Sequence, residues 1–325
     1  MQQSSSRRGA VLALVSVVLV WSLVVFLWVE RQAVYDWWRL RGYEAPSEIA
    51  ALADNTTMND SARRVFYVYH PQLEPAATFN EHCRDGEFTI VLGCYSAGRG
   101  IYIFRVDDPR LEGIEEVTAA HEFLHAAYDR LSKDERSRVD RLTTEVYQGL
   151  DNERLQETVA EYQKHDASVV PNELHSIIGT EVRDLPQELE RYYAKYFTNR
   201  KQIVAYSEAY EAAFNDRKAL AKRYETKLQS LKEEVETENE ALEAEQQRLQ
   251  NEAGHLEHVD RSANAEIINL RINQYNEDVA LYNARVRNVS AMVDEYNNLY
   301  EKYKEIVLEQ QDLFKAIDSR PQQIQ

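Results

Sequence analysis

Residues 114–131 read IEEVTAAHEFLHAAYDRL, and the interval between their apolar and histidine positions decides how the chain is built. Ile114, Val117, His121, Leu124, His125, Tyr128 and Leu131 follow one another at steps of three and four. That interval returns to one face of an α-helix, so the stretch predicts a helix with both histidines turned inward. The plain account of such a pair is two core histidines satisfied by neighbouring groups. The alternative depends on what the rest of the chain brings to the same place.

Towards the N-terminus the pattern changes to strand-like runs: Val65–Tyr69, Phe88–Leu92 and Ile101–Phe104, separated by Pro71, Asp85-Gly86, Gly93 and the glycines at 98 and 100. They predict a small sheet of about three strands. Ile101–Phe104, close before the helix, is expected to be an edge strand able to take up a peptide by addition. Towards the C-terminus further helices are expected over Lys133–Leu150 and Glu153–His165. A short one begins near Pro171 and stops at Gly179, and another runs from Pro186 to Phe197. From Ile203 to Leu249, and again from Ile268 to Ile317, apolar residues alternate steps of three and four with Glu, Lys, Gln and Arg between them. A sustained 3.5-residue period marks a coiled coil, and two arms broken at Gly254-His255 read as an antiparallel hairpin. Each arm of about 50 residues would be roughly 75 Å long. Tyrosine fills many seam positions, and its hydroxyl needs water or a partner, so the pairing is either loose or made to receive another protein.

At the other end, residues 9–29 read GAVLALVSVVLVWSLVVFLWV without a charge. About 20 apolar residues cross a bilayer as a helix. Trp28, Tyr35, Trp37 and Trp38 follow like an interfacial belt, and no small-residue cleavage site is present. An uncleaved single-pass anchor is expected. Arg7 and Arg8 precede it, but Arg31, Arg39 and Arg41 on the far side blunt any orientation drawn from charge. Cys83 and Cys94, with ten residues between them, are either unrelated small residues or a disulfide closing a short loop. A disulfide would imply an oxidising compartment, and this turns the expectation towards an extracytoplasmic chain. With 38 basic against 55 acidic residues the net charge is −17, which repels nucleic acid. The fold class expected is mainly α. A transmembrane anchor (1–30) and a juxtamembrane stalk (31–60) precede a small α+β domain (61–200), an antiparallel coiled-coil hairpin (201–318) and a tail (319–325).

The residues of chemical interest are in His121-Glu122-Phe123-Leu124-His125, an HExxH pattern. Histidines four apart on a helix stack, so their imidazoles can converge on one tetrahedral zinc ion. Glu122 then lies beside the open coordination position, where it can take a proton from metal-bound water. Residues from about 65 to 200 resemble the HExxH zinc metallopeptidases called zincins. In the gluzincin branch a glutamate on a later helix completes the metal site, within patterns such as NExxSD or ExxAD. Asn172-Glu173-Leu174-His175-Ser176-Ile177 matches the first at Asn172, Glu173 and Ser176, with Ile177 in place of the acid. The metzincin third histidine is missing, since the position six after His125 is Leu131. The resemblance thus implies zinc on His121, His125 and Glu173, with Glu181 as the alternative third ligand; Glu145 and Glu161 compete less well. It implies peptide-bond hydrolysis with Glu122 as base, and His175 as donor to the developing oxyanion, with Tyr192 or Tyr193 next. Surface histidine and core tyrosine are equally ordinary accounts of those three. Asp129 would orient a ligand histidine or pair with Arg130 or Lys133. The expected partners are a peptide or protein substrate, the membrane, and a protein partner or second copy on the coiled coil, with no nucleic acid. The other reading is an inactive membrane-tethered scaffold, or a regulator of another hydrolase.

Overall fold

The computed structural model describes residues 30–83, 91–258 and 265–320, with scattered positions between 16 and 25. Most of the apolar run expected to be the anchor, residues 88–90 of the strand expected over Phe88–Leu92 and the last residues of the tail lie outside the described residues; Val91 and Leu92 are not in a strand, which begins instead at Gly93. Among the described residues no helix is long and apolar enough to cross a membrane. The chain divides into two compact units, residues 1–211 with 315–325, and residues 212–314.

The first unit is helical around a three-stranded sheet of order β1-β3-β2. Its elements are α1 (Arg31–Leu40), α2 (Ser47–Asn55), α3 (Asp60–Val68), β1 (Gln72–Glu74), α4 (Ala76–His82), β2 (Gly93–Ser96), β3 (Gly100–Phe104), α5 (Ile114–Asp129), α6 (Lys133–Gln148), α7 (Glu153–Asp166), α8 (Val170–Glu181) and α9 (Gln187–Tyr193). β1 runs parallel to β3, and β2 runs antiparallel to it with Gly93 opposite Ile103 and Ser96 opposite Gly100.

Helix α5 lies at the centre and is buried on almost every side, not on one face. Ala119, Ala120, Ala126 and Ala127 occupy the turns between its large side chains and let neighbouring elements come close. Helix α8 packs against α5 and α6. Gly179 sits inside α8 and does not end it. A Cβ there would stand 2.5 Å from Leu124 Cδ1 and 2.8 Å from Tyr193 Cε1, so the glycine serves close approach of helices instead of a stop.

Three expectations are corrected here. Val65–Tyr69 is not a strand, because Asn59 caps a helix by accepting from the Ala62 N–H, and Ala62 and Phe66, four apart, share its buried face. The β-branched and aromatic residues of that run fit either state, and packing decides between them. Ile101–Phe104 is the central strand, not an edge; β1 and β2 hold the edges. Residues 31–60 do not form a stalk: Ile49, Leu52 and Ala53 belong to the core, and Asp36 is paired with Arg130 at the end of α5.

The last two helices are α10 (Arg200–Glu257) and α11 (Ala265–Ile317). In the second unit Arg217 pairs with Glu309, Lys227 with Glu295, Glu238 with Arg285 and Arg248 with Asp278. Partner numbers fall on α11 as they rise on α10, so the arms run in opposite directions. Leu228, Leu231 and Leu299 form a buried cluster between them, with Tyr224, Tyr296 and Tyr303 half-buried around it.

Candidate metal centre

His121, Glu122 and His125 come from the middle of α5, and their ligand atoms lie within 4.8 Å of one another. The two imidazoles stand nearly edge-on, with centroids 4.7 Å apart. From the first turn of α8, Glu173 reaches both: Oε2 is 3.6 Å from His121 Nε2 and Oε1 is 3.7 Å from His125 Nε2. Those separations exceed a hydrogen bond, and Glu173 Oε2 is fully buried without a hydrogen-bond partner. With metal bonds of about 2.0–2.1 Å, donors around a tetrahedral zinc stand roughly 3.3 Å apart, and the two Glu173–histidine separations lie within a few tenths of an ångström of that. Two imidazole nitrogens and a carboxylate are donors suited to zinc, so the residues present fit the ion.

The charges of the three groups are interlocked. Burial alone would lower the His121 pKa, but the Glu173 and Glu122 carboxylates outweigh it and push it up to about 9. Burial lowers that of His125, and the neighbouring His121 adds to the effect. Burial would raise Glu173, yet the two histidines, together with the Tyr162 hydroxyl, hold it below the usual carboxylate range. Protons and any cation bound here would therefore compete for the same pocket.

Ser176, one turn after Glu173 on α8, places its Oγ 3.3 Å from His125 Nδ1. Nε2 is turned towards Glu173, and a proton carried on Nδ1 would be donated to that hydroxyl. This tautomer leaves the Nε2 lone pair for a cation. The sequence showed Ser176 only as a matching letter of a pattern, and the acid expected beside it is Ile177, which is buried in the core.

Glu122 is 5% exposed and lies against β2. A Cβ at Gly93 would stand 2.8 Å from Glu122 Cγ and Oε1 and 2.6 Å from Thr118 Cγ2. Only a glycine lets the strand pass this closely over the carboxylate.

The other carboxylates considered as ligands lie elsewhere. Glu181 pairs with Arg154, Glu145 with Arg141 on the surface, and Glu161 with Lys164 and His165. His175 is not brought to the open side of the centre. It is completely buried, with Nε2 bonded to the Tyr192 hydroxyl at 2.8 Å, and burial pushes its pKa down to about 3. Tyr193 donates to the His175 carbonyl. These three residues form a packed aromatic cluster, in which His175 is completely buried and its Nδ1 has no hydrogen-bond partner. Asp129 stands 3.9 Å from Arg136, not paired with the Arg130 or Lys133 expected; Arg130 pairs with Asp36. Cys83 and Cys94 are joined by a disulfide.

No protein-family sequence model matches this chain, and comparisons with curated proteins and with solved structures find no match.

Proposed function

We propose that the chain is a zinc-dependent metallopeptidase of the HExxH type, with His121, His125 and Glu173 as metal ligands and Glu122 as catalytic base. The observation that carries this reading is the buried Glu173 carboxylate, aimed at both imidazoles with one oxygen unpartnered. A buried carboxylate oxygen without a partner costs about 1–3 kcal/mol or more, and a cation held between it and the two imidazoles would relieve that cost.

Bound zinc supplies Lewis-acid polarisation of a scissile carbonyl and lowers the pKa of its water to about 7. The residues of the chain do the rest. Glu122 takes the proton from the attacking water at a carboxylate oxygen and delivers it to the leaving amide nitrogen. The edge of β2, unpaired among the described residues, offers a place for an extended substrate. The Phe104 N–H bonds to the Leu92 carbonyl, and the antiparallel alternation then turns the backbone groups of Gly93 and Tyr95 away from β3. A peptide added along that edge passes beside Glu122.

The rest of the proposal concerns setting. Residues 9–29 anchor the chain in a membrane, the disulfide favours an oxidising, extracytoplasmic side, and α10 and α11 form an antiparallel coiled coil. The deciding experiment is metal analysis of the purified full-length chain with peptide-cleavage assays on its variants. One equivalent of zinc is expected, lost in His121→Ala and in Glu173→Ala, with cleavage lost but zinc kept in Glu122→Gln. Stoichiometric zinc without any cleavage by the parent chain would instead establish a metal-stabilised scaffold.

A further inference from the structure

Helix α11 carries more apolar surface than α10 covers. Its seam against α10 includes Val289, Met292 and Leu299, all buried. Beside that seam a second row repeats at every seventh residue: Ile272, Val279, Val286, Val293, Tyr300, Val307 and Phe314. Ile272 and Val286 are each 41% exposed, Val293 38%, Tyr300 44% and Phe314 51%. The next row around the helix reads Asn276, Asn283, Ser290, Asn297, Lys304 and Gln311. Lys304 is thus the single charge in both rows, in a chain where 29% of residues are charged. A face that meets only water is not built this way: a solvated coiled-coil flank carries glutamate and lysine, as the corresponding flank of α10 does at Lys218, Glu225 and Lys232.

We propose that a second copy of this chain docks on this strip, the two α11 helices pairing antiparallel about Val293. The repeat is self-complementary in that arrangement. Ile272 falls opposite Phe314 of the second copy, Val286 opposite Tyr300, and Val293 meets itself on the two-fold axis, as an isologous interface requires. The flanking row of Ala280, Arg287, Asp294, Glu301 and Leu308 pairs with itself one residue out of that frame, which brings Arg287 near Glu301 of the second copy. Asp294 meets its twin, the one like-charge contact of that row. Because the net charge is −17, two copies repel across most of their surfaces, and the two rows through Val293 and Ser290, which hold no acidic residue, are where repulsion is least. The strip spans about 12 turns, or roughly 63 Å. At about 10 Å width the pair buries on the order of 1,200 Å², enough for a specific interface. The claim is independent of the metal centre and survives its failure.

The test uses the full chain in detergent, where the native cysteines are already joined to each other. Val293→Cys is expected to give a disulfide-linked dimer under mild oxidation, and Ala291→Cys, on the far side of the helix, is expected to give none. In sedimentation velocity the parent chain is expected to be a dimer, and Val286→Glu with Val293→Glu to raise its dissociation constant at least about 100-fold. Helix content by circular dichroism should stay unchanged, since both positions are exposed. A monomeric parent chain, a dimer that persists in the double-glutamate variant, or equal cross-linking from Ala291→Cys would each overturn the proposal.

Discussion

The hydroxyl of Ser176 faces the nitrogen of His125 that points away from Glu173. Groups in that position orient a metal-binding imidazole and typically account for about 10–100-fold in affinity. Ser176→Ala is expected to weaken zinc binding by that factor in competition with a chromophoric chelator; unchanged affinity would mean that the contact does no orienting. Gly93 makes the opposite kind of demand, for space. Gly93→Ala inserts a methyl between Thr118 and Glu122 and is expected to cost about 1–3 kcal/mol. Cleavage should fall as well, because Glu122 must shift to admit it; a melt and a rate within error of the parent would refute this. That His121, His125 and Glu173 come together was legible in the sequence, because helical spacing turns two of them inward and a short pattern points to the third. Ser176 was not, since its value comes from the angle between α5 and α8. His175 misled for a related reason. Two residues beyond Glu173, it stands about 200° further around the helix, and it faces tyrosines.

Between elements, one ion pair fastens α1 to the end of α5. The Arg130 guanidinium donates to both Asp36 oxygens, at 2.8 and 2.9 Å, and both side chains are largely buried. Removing one partner leaves the other charge desolvated and alone. Asp36→Ala is therefore expected to cost about 3 kcal/mol in denaturant unfolding, and a loss below about 1 kcal/mol would show the pair to be incidental. At the start of α6, Ser132 and Glu135 form a reciprocal cap. The Ser132 hydroxyl and backbone N–H donate to the Glu135 carboxylate and hold its pKa below the usual value. A depressed carboxylate stabilises the fold above its unfolded pKa, and this contribution disappears as pH falls through the folded value. Ser132→Ala should thus cost about 1 kcal/mol at neutral pH and less in acid; an equal loss at both would assign the effect to something other than the cap. The helices after α5 were readable because caps and periodicity agree. The strands were harder: Val65–Phe66-Tyr67-Val68-Tyr69 has strand composition but a capped helical setting, and strand order, which decides which edge is open, leaves no local trace.

Over the whole molecule, the long arms were the most legible feature, because a repeat carried through many heptads outweighs any local ambiguity. The border of the first unit was not: it extends to Glu211, and residues 31–60 pack into it, since buried aliphatics such as Ile49 and Leu52 look no different in sequence from those of a surface helix. The disulfide ties α4 to the strand that passes over Glu122. Cys83→Ala with Cys94→Ala is expected to lower stability by about 3 kcal/mol and to reduce cleavage under non-reducing conditions. A variant as active and stable as the parent would show that the strand holds its place unaided.

The rings of Phe214 and Phe314 stand 5.3 Å apart, so the inserted hairpin enters and leaves its unit at one spot. Chain length can then be trimmed without disturbing that doorway, provided equal heptads are cut from each arm so that the remaining rungs still meet. Cutting only one arm would throw every rung beyond the cut out of step. Shortened or lengthened versions of this protein can therefore be engineered in matched increments, and reach becomes a quantity that is adjusted separately from chemistry.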